Sequence, residues 1–308
     1  MVELVQSVWH ALELAMGWIL SPEWLPPKDF ELLRWLIVPG FGYGALLVLI
    51  GVLELIVPKD RRPWGRETAL SATYLLFAGK VGFYGFVVAP LIRNAWVYVG
   101  LPSLHLDQRL PLALYMPFAL LVVSFAGYWA HRLMHRVPLF WHIHKIHHSV
   151  RNLNFSSVYH IHFLEDLLAV PAHLVVVLAL GTDLVAPFGI VVRTLDILAH
   201  ANVRLDLGRL TYFINTPQAH RIHHSAEPRH YDTNFSNTVM VWDHMFGTFH
   251  YDPANPPKAY GVGENVPVAF VKQQLLPLVA MFRDARAGAR RVLGHNTDDA
   301  ASSGSRKG

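Results

Sequence analysis

Residues Ala126–Ser149 read AGYWAHRLMHRVPLFWHIHKIHHS, and their histidine spacing decides what kind of chain this is. His131-Arg-Leu-Met-His135 is an HxxxH box, and His144-Lys-Ile-His147-His148 is an HxxHH box. The second pattern returns farther on as His220-Arg-Ile-His223-His224. Positions i, i+3 and i+4 share one face of an α-helix, so each box is expected to aim two or three imidazoles at a common point. Neutral imidazole is the commonest protein metal ligand, and eight converging rings exceed the needs of one ion. The spacing therefore predicts a pair of metals.

Of the chain's 19 histidines, 16 fall between His131 and His250. Apolar residues make up 53% and charged residues only 16%, a balance that favours a membrane protein over a soluble one. Three apolar runs, 35–57, 70–92 and 110–130, are long enough to cross a bilayer as helices. The third leads without a break into His131 and His135, so its helix is expected to continue and carry both. Apolar stretches at 167–180 and 184–199, broken by Gly181-Thr182-Asp183, predict a hairpin that either re-enters or spans the bilayer thinly. It would return the last box to the side of the first two. Of the 26 Lys and Arg, 20 lie in the three stretches that this count places on one side, which makes that side cytosolic.

The expected fold is all-α: a polytopic membrane helical bundle under a cytosolic, helical, histidine-rich di-metal cap. Residues 1–30 form an amphipathic N-terminal segment, with Glu3, Gln6, Ser7, His10 and Glu13 among apolar residues and no basic leader in the first twenty. Residues 31–130 hold three transmembrane helices. Residues 131–282, including the 167–199 hairpin, form the catalytic domain, and 283–308, rich in Arg, Ala, Gly and Ser, form a disordered tail. Arginine outnumbers lysine 19 to 7, which suits a bacterial inner-membrane protein. The basic residues lack interleaved aromatics, which argues against nucleic acid as a partner.

The absence of cysteine excludes thiolate-ligated zinc, iron–sulfur clusters and disulfides. None of the boxes holds an acid, whereas zinc hydrolases carry a carboxylate base within the motif, as in HExxH. An all-histidine pair beside a bilayer suits two ferrous ions that activate O₂ against a lipid C–H bond. Asp196, four residues before His200, is the expected partner of a ligand N–H. Thr216-Pro217 reads as a helix start with Thr216 as cap, and His142 should point away from its neighbours in the box.

At these residues the chain resembles the fatty acid hydroxylase/sterol desaturase superfamily, membrane di-iron oxygenases with three histidine boxes. The resemblance extends to His200-Ala-Asn202-Val203, Thr216-Pro217, Asn234-Phe235 and Trp242-Asp243-His244-Met245-Phe246-Gly247-Thr248. It implies two non-haem irons held by His131, His135, His144, His147, His148, His220, His223 and His224, with His200 assisting. It implies O₂ as co-substrate and hydroxylation, or desaturation, of a membrane lipid. One element departs: His162-Phe-Leu-Glu165 stands where the family carries His-Pro-x-Glu, so His162 transfers only weakly. The chain shows no dinucleotide fingerprint, no cluster cysteines and no His-Pro-Gly-Gly haem motif. Electrons are accordingly expected from a separate donor, a reductase working through a ferredoxin or cytochrome b5. Two other classes compete: a membrane metal-binding or transport protein, and a zinc-dependent lipid hydrolase. A transporter would place its ligands within the spans, whereas these boxes follow them.

Overall fold

The structure is a computed structural model that describes residues 44–60, 65–76, 89–165, 180 and 185–304. The chain divides into two compact units, 1–56 and 57–308. Within the first, the described residues form an apolar helix, α1, Gly44–Ile56. The described residues of the second hold the helices α2 (Arg66–Leu76), α3 (Ala89–Val99), the single turn α4 (Leu106–Arg109), α5 (Leu112–Arg136), α6 (Pro138–His148), α7 (Val185–His200), α8 (Pro217–His223), the short α9 (Val241–Met245) and α10 (Phe270–Gly304). Only isolated β-bridges occur among the described residues. The all-α expectation holds.

Helix α5 is the spine of the second unit. Its 25 residues make it about 37 Å long at 1.5 Å per residue, and among the described residues it is the one helix long and apolar enough to cross a membrane. Tyr115, Ala119, Val123 and Gly127 recur every four residues on its buried face, and His131 is the next member of that series. The stripe that packs the helix therefore also delivers the first box inward. Tyr115, Ala119 and Val123 pack with Leu180 and, at the margin, with Val192 of α7. The helix runs on through His131 and His135 as expected and stops at Val137, which is extended (φ −94°, ψ 112°) because Pro138 follows. Pro138 then opens α6 at a position where its missing N–H costs nothing.

The remaining elements gather round this corner. A 3₁₀ segment, Phe155–Tyr159, is closed at its start by a reciprocal cap between Asn154 and Ser157. It packs against α2 and α7, while α7 also meets α8 and α5. Past α7 the chain is clamped by paired side chains. Asn202 exchanges hydrogen bonds with the backbone of Asp60, and buried Arg221 on α8 donates to the Asp60 carboxylate at 2.9 Å and to Asn202 at 3.0 Å. Asp243 on α9 is fully buried and accepts from Phe235 N (2.8 Å), Ser236 N (2.9 Å) and Thr248 Oγ1 (2.7 Å). Asn234 sits in the left-handed region (φ 55°) and binds Ala219 O and both backbone groups of His250. These two residues shape the turn that faces α8.

Several expectations meet the structure differently. The third expected span is the α5 helix. Of the first, α1 covers the last part; of the second, α2 and α3 hold the two ends, and residues 77–88 lie outside the described residues. So do the N-terminal segment and most of the first hairpin arm; the second arm is α7. Residues 283–304, expected as part of a disordered tail, continue helix α10 to Gly304. The first half of the helix is anchored on α6 and α2, where Gln273 accepts from Tyr74 at 2.8 Å. Phe125, Tyr128 and Trp129 pack against Trp242, Phe246 and Phe235.

Replacing Asp243 with Ala strands three buried donors, each costing about 1–3 kcal/mol when unsatisfied. Asp243→Ala is expected to lose at least about 3 kcal/mol of stability, read as a drop in the urea midpoint of the detergent-solubilised chain.

Candidate metal centre

The nine histidines expected to hold metal come together from four helices: His131 and His135 on α5, three on α6, His200 at the end of α7, and three at α8 and its C-cap. They sort into two sets. One contains His131, His135, His144, His148 and His223; the other contains His147, His200, His220 and His224. Within each set the candidate ligand nitrogens lie within 4.8 Å of one another. The sets abut, with His148 of one stacked on His224 of the other, ring centroids 4.4 Å apart.

This partition corrects the expectation that each box aims at a common point. In both HxxHH boxes the first and third histidines share a set and the middle one joins the other. Residues i and i+4 differ by about 40° around a helix, but i+3 and i+4 differ by about 100°. The two HxxHH boxes interleave, each contributing to both positions.

The geometry fits a pair of cations. Nε2–Nε2 separations are 3.0 Å for His131–His144, 3.1 Å for His135–His148 and 3.1 Å for His144–His148. In the second set they are 3.1 Å for His147–His200, 2.9 Å for His200–His220 and 3.0 Å for His220–His224. Two nitrogens bound about 2.1 Å from one metal at right angles lie about 3.0 Å apart. The opposite nitrogens explain why these contacts are not simply hydrogen bonds. His131 Nδ1 donates to Phe235 O at 2.7 Å, His223 Nδ1 to Thr233 O at 2.8 Å, His200 Nδ1 to Asp196 O at 2.8 Å and His144 Nδ1 to the Glu165 carboxylate at 2.9 Å. A neutral ring that donates through Nδ1 presents a bare lone pair at Nε2. His131 and His144, both fixed this way, face each other lone pair to lone pair. The buried Nε2 of His223 has no hydrogen-bond partner at all. Cations would supply what these nitrogens lack.

Electrostatics agree. Burial holds His144, His147, His148, His220, His223 and His224 well below the usual histidine pKa, and repulsion from neighbouring rings lowers them further. They are neutral, which is the ligating form. The caps behave as the sequence suggests: Thr216 accepts from Ala219 N, with Pro217 in the first turn.

Other histidines lie elsewhere. His142 pairs with Asp284 at 2.7 Å, as its helical angle predicts it should turn away. His160 stacks on Tyr74 (4.3 Å) between Ser71 and Gln273, and its burial lowers its pKa to about 4. His162 bonds Gln274 O, His230 bonds Ser225, and His244 bonds Tyr212 O; His250 stands outside both sets, and His173 lies outside the described residues. In the His162–Glu165 element it is the glutamate that reaches the centre, through His144. Asp196 is the partner of a ligand N–H as expected, but through its backbone oxygen, which accepts a hydrogen bond from His200 Nδ1 at 2.8 Å; its carboxylate stands 3.6 Å off and binds Arg193 at 3.1 Å. Phe235 and Thr233 were not visible as contributors, since they act through carbonyls that every residue possesses.

Two abutting all-histidine sets in a helical unit are consistent with a two-metal site. The family model for fatty acid hydroxylase matches residues 116–248. The ornithine lipid hydroxylase OlsE of Rhizobium tropici is 30% identical over 264 residues, 82% of this chain and 77% of the relative. Alkylglycerol monooxygenases are similar over less: the Xenopus tropicalis protein is 29% identical over 59% of this chain and the human protein 28% over 68%. The chain spans 40% and 47% of those two relatives. No solved structure matches. The chain belongs to the fatty acid hydroxylase family of oxidoreductases.

Two outcomes follow from this geometry. His147→Ala and His148→Ala, though adjacent, should each lower bound metal from two ions per chain to one, from different positions; elemental analysis with metal spectroscopy checks this. The lowered histidine pKa values mean that unfolding takes up protons below the ordinary value of 6.5. The metal-free chain should therefore melt at progressively lower temperature as pH falls from about 6.5, and be insensitive to pH between 7 and 8 on this account.

Proposed function

We propose that this chain is an integral membrane, non-haem di-iron oxygenase that uses O₂ to hydroxylate a C–H bond of a polar membrane lipid. The observation that carries the reading is the pair of buried sets made wholly of neutral imidazole. Nitrogen-only coordination suits a redox-active ion, and no carboxylate stands within either set to serve a zinc hydrolase as base. Hydroxylation is preferred to desaturation because the relatives above are named hydroxylases and monooxygenases. An ornithine lipid is the first substrate to test, since the Rhizobium relative matches most of both chains.

In such a reaction one oxygen enters the C–H bond and the other leaves as water, consuming two electrons and two protons. Bound iron would supply the electron transfer to O₂ that makes C–H cleavage possible. The chain's own residues prepare for it. Phe235 O, Thr233 O, Asp196 O and Glu165 fix ring orientation and tautomer. Burial excludes water and keeps the rings unprotonated. The α5 helix, read as a span, holds His131 and His135 at its end, which puts the centre at the cytosolic surface of the bilayer with a polytopic helical domain beneath. Two electrons come from a separate donor, a reductase acting through a ferredoxin or cytochrome b5. The length and apolar character of α5 suit a membrane span, and the membrane we propose is a bacterial inner membrane. A transport protein or zinc hydrolase is the rival.

The test is lipid analysis of cells with and without the gene, grown under ¹⁸O₂. A lipid gaining a single labelled oxygen supports the proposal; loss of two hydrogens without label means desaturation. Two irons per purified chain are expected, whereas one zinc and a hydrolysed lipid would sink the oxygenase reading.

A further inference from the structure

The two histidine sets differ in what stands behind them. Among the nine candidate ligands only His144 donates its Nδ1 proton to a carboxylate, that of Glu165 at 2.9 Å, with both side chains largely buried (3% and 11% exposed). A carboxylate on the far N–H makes the ligating nitrogen more basic and locks the ring. The same set has Asp232 near His135, at 3.8 Å and shared with Arg136 at 3.4 Å, a weaker support. Its other two anchors are the carbonyls of Phe235 and Thr233.

The second set has no equivalent. His200 donates to a backbone carbonyl, and the nearby Asp196 carboxylate is engaged by Arg193. His220 faces the Asn215 amide at 3.3 Å, and the buried Nδ1 atoms of His147 and His224 meet no acceptor. The first set therefore offers five nitrogens with a buried carboxylate hydrogen-bonded to one of them; the second offers four, its nearest carboxylate standing 3.6 Å from His200 and paired with Arg193.

We infer that Glu165 is a positioning residue that makes the five-histidine set the tighter of two unequal metal positions, so that the chain fills and empties its positions in order. The inference rests on the di-metal reading above. A cation bound by His131, His135, His144, His148 and His223 gains the attraction of Glu165 through a single ring. A cation bound by His147, His200, His220 and His224 has two rings whose buried Nδ1 meets no acceptor. Removing an outer partner of this kind typically costs 10- to 100-fold in metal affinity, so the positions should differ by roughly tenfold or more.

The experiment titrates the metal-free, detergent-solubilised full chain with Co²⁺ and follows its visible absorption, with His224→Ala to disable the second position. Two separable affinities are expected, and the His224→Ala chain should keep the tighter one alone. Glu165→Gln preserves an acceptor but removes the charge. It should weaken the tighter phase by about 10- to 100-fold and leave the other unchanged, with Glu165→Ala weaker still. Melting of each metal-free variant checks folding; if Glu165→Ala fails to fold, Glu165→Gln still decides. Equal affinities, a tighter phase lost in His224→Ala, or a Glu165→Gln chain that binds like the unaltered protein would each overturn the inference. A chain that takes up no second ion would instead overturn the di-metal reading itself.

Discussion

Nine buried imidazoles are brought together with ring nitrogens about 3 Å apart, His131 and His144 facing lone pair to lone pair, and holding them there is the constraint on which the rest of the structure depends. The fold meets it by fixing rings from behind. Each anchor comes from a different part of the chain: Glu165 after the 3₁₀ segment, Asp196 within α7, and Thr233 and Phe235 in the turn facing α8. That turn is itself held by Asp243 and Asn234, which touch no ligand. The Trp242–Thr248 stretch thus acts on the centre at one remove, by shaping the backbone that orients His131.

Burial works in the same direction. Taking the rings out of water disfavours their charged form, so the proton is lost before any metal arrives. The cost is borne by packing elsewhere: α10 packs against α6 and α2, and the Arg221–Asp60–Asn202 clamp pins α8 to the segment around Asp60. A buried arginine with two anchored partners is a rigid strut beside a set of rings that must not drift.

Much of the centre was legible from spacing alone. The boxes mark helix faces, the charge-free run before His131 marks the helix that carries it, and Thr216-Pro217 marks where α8 begins. His200 was reachable because it closes the hairpin that returns the chain to the boxes. The division of each HxxHH box between two positions was also implicit in the 100° step per residue, although the shared-face rule hides it. Glu165 was not legible as His144's partner. It lies 21 residues away across a 3₁₀ turn, and no periodicity connects the two. The persistence of α10 beyond 283 went unread because its composition resembles a tail while its residues favour helix.

By itself, then, the sequence determined which side chains could serve, that they would be presented on helices, and that thiolate chemistry was closed to this protein. Those properties follow from residue type and from the local geometry of 3.6 residues per turn. Tertiary structure alone decided which rings share a position, which nitrogen of each carries the proton, and which position has an anion behind it. Those depend on distances between segments far apart in the chain, and on backbone carbonyls that no residue name reveals.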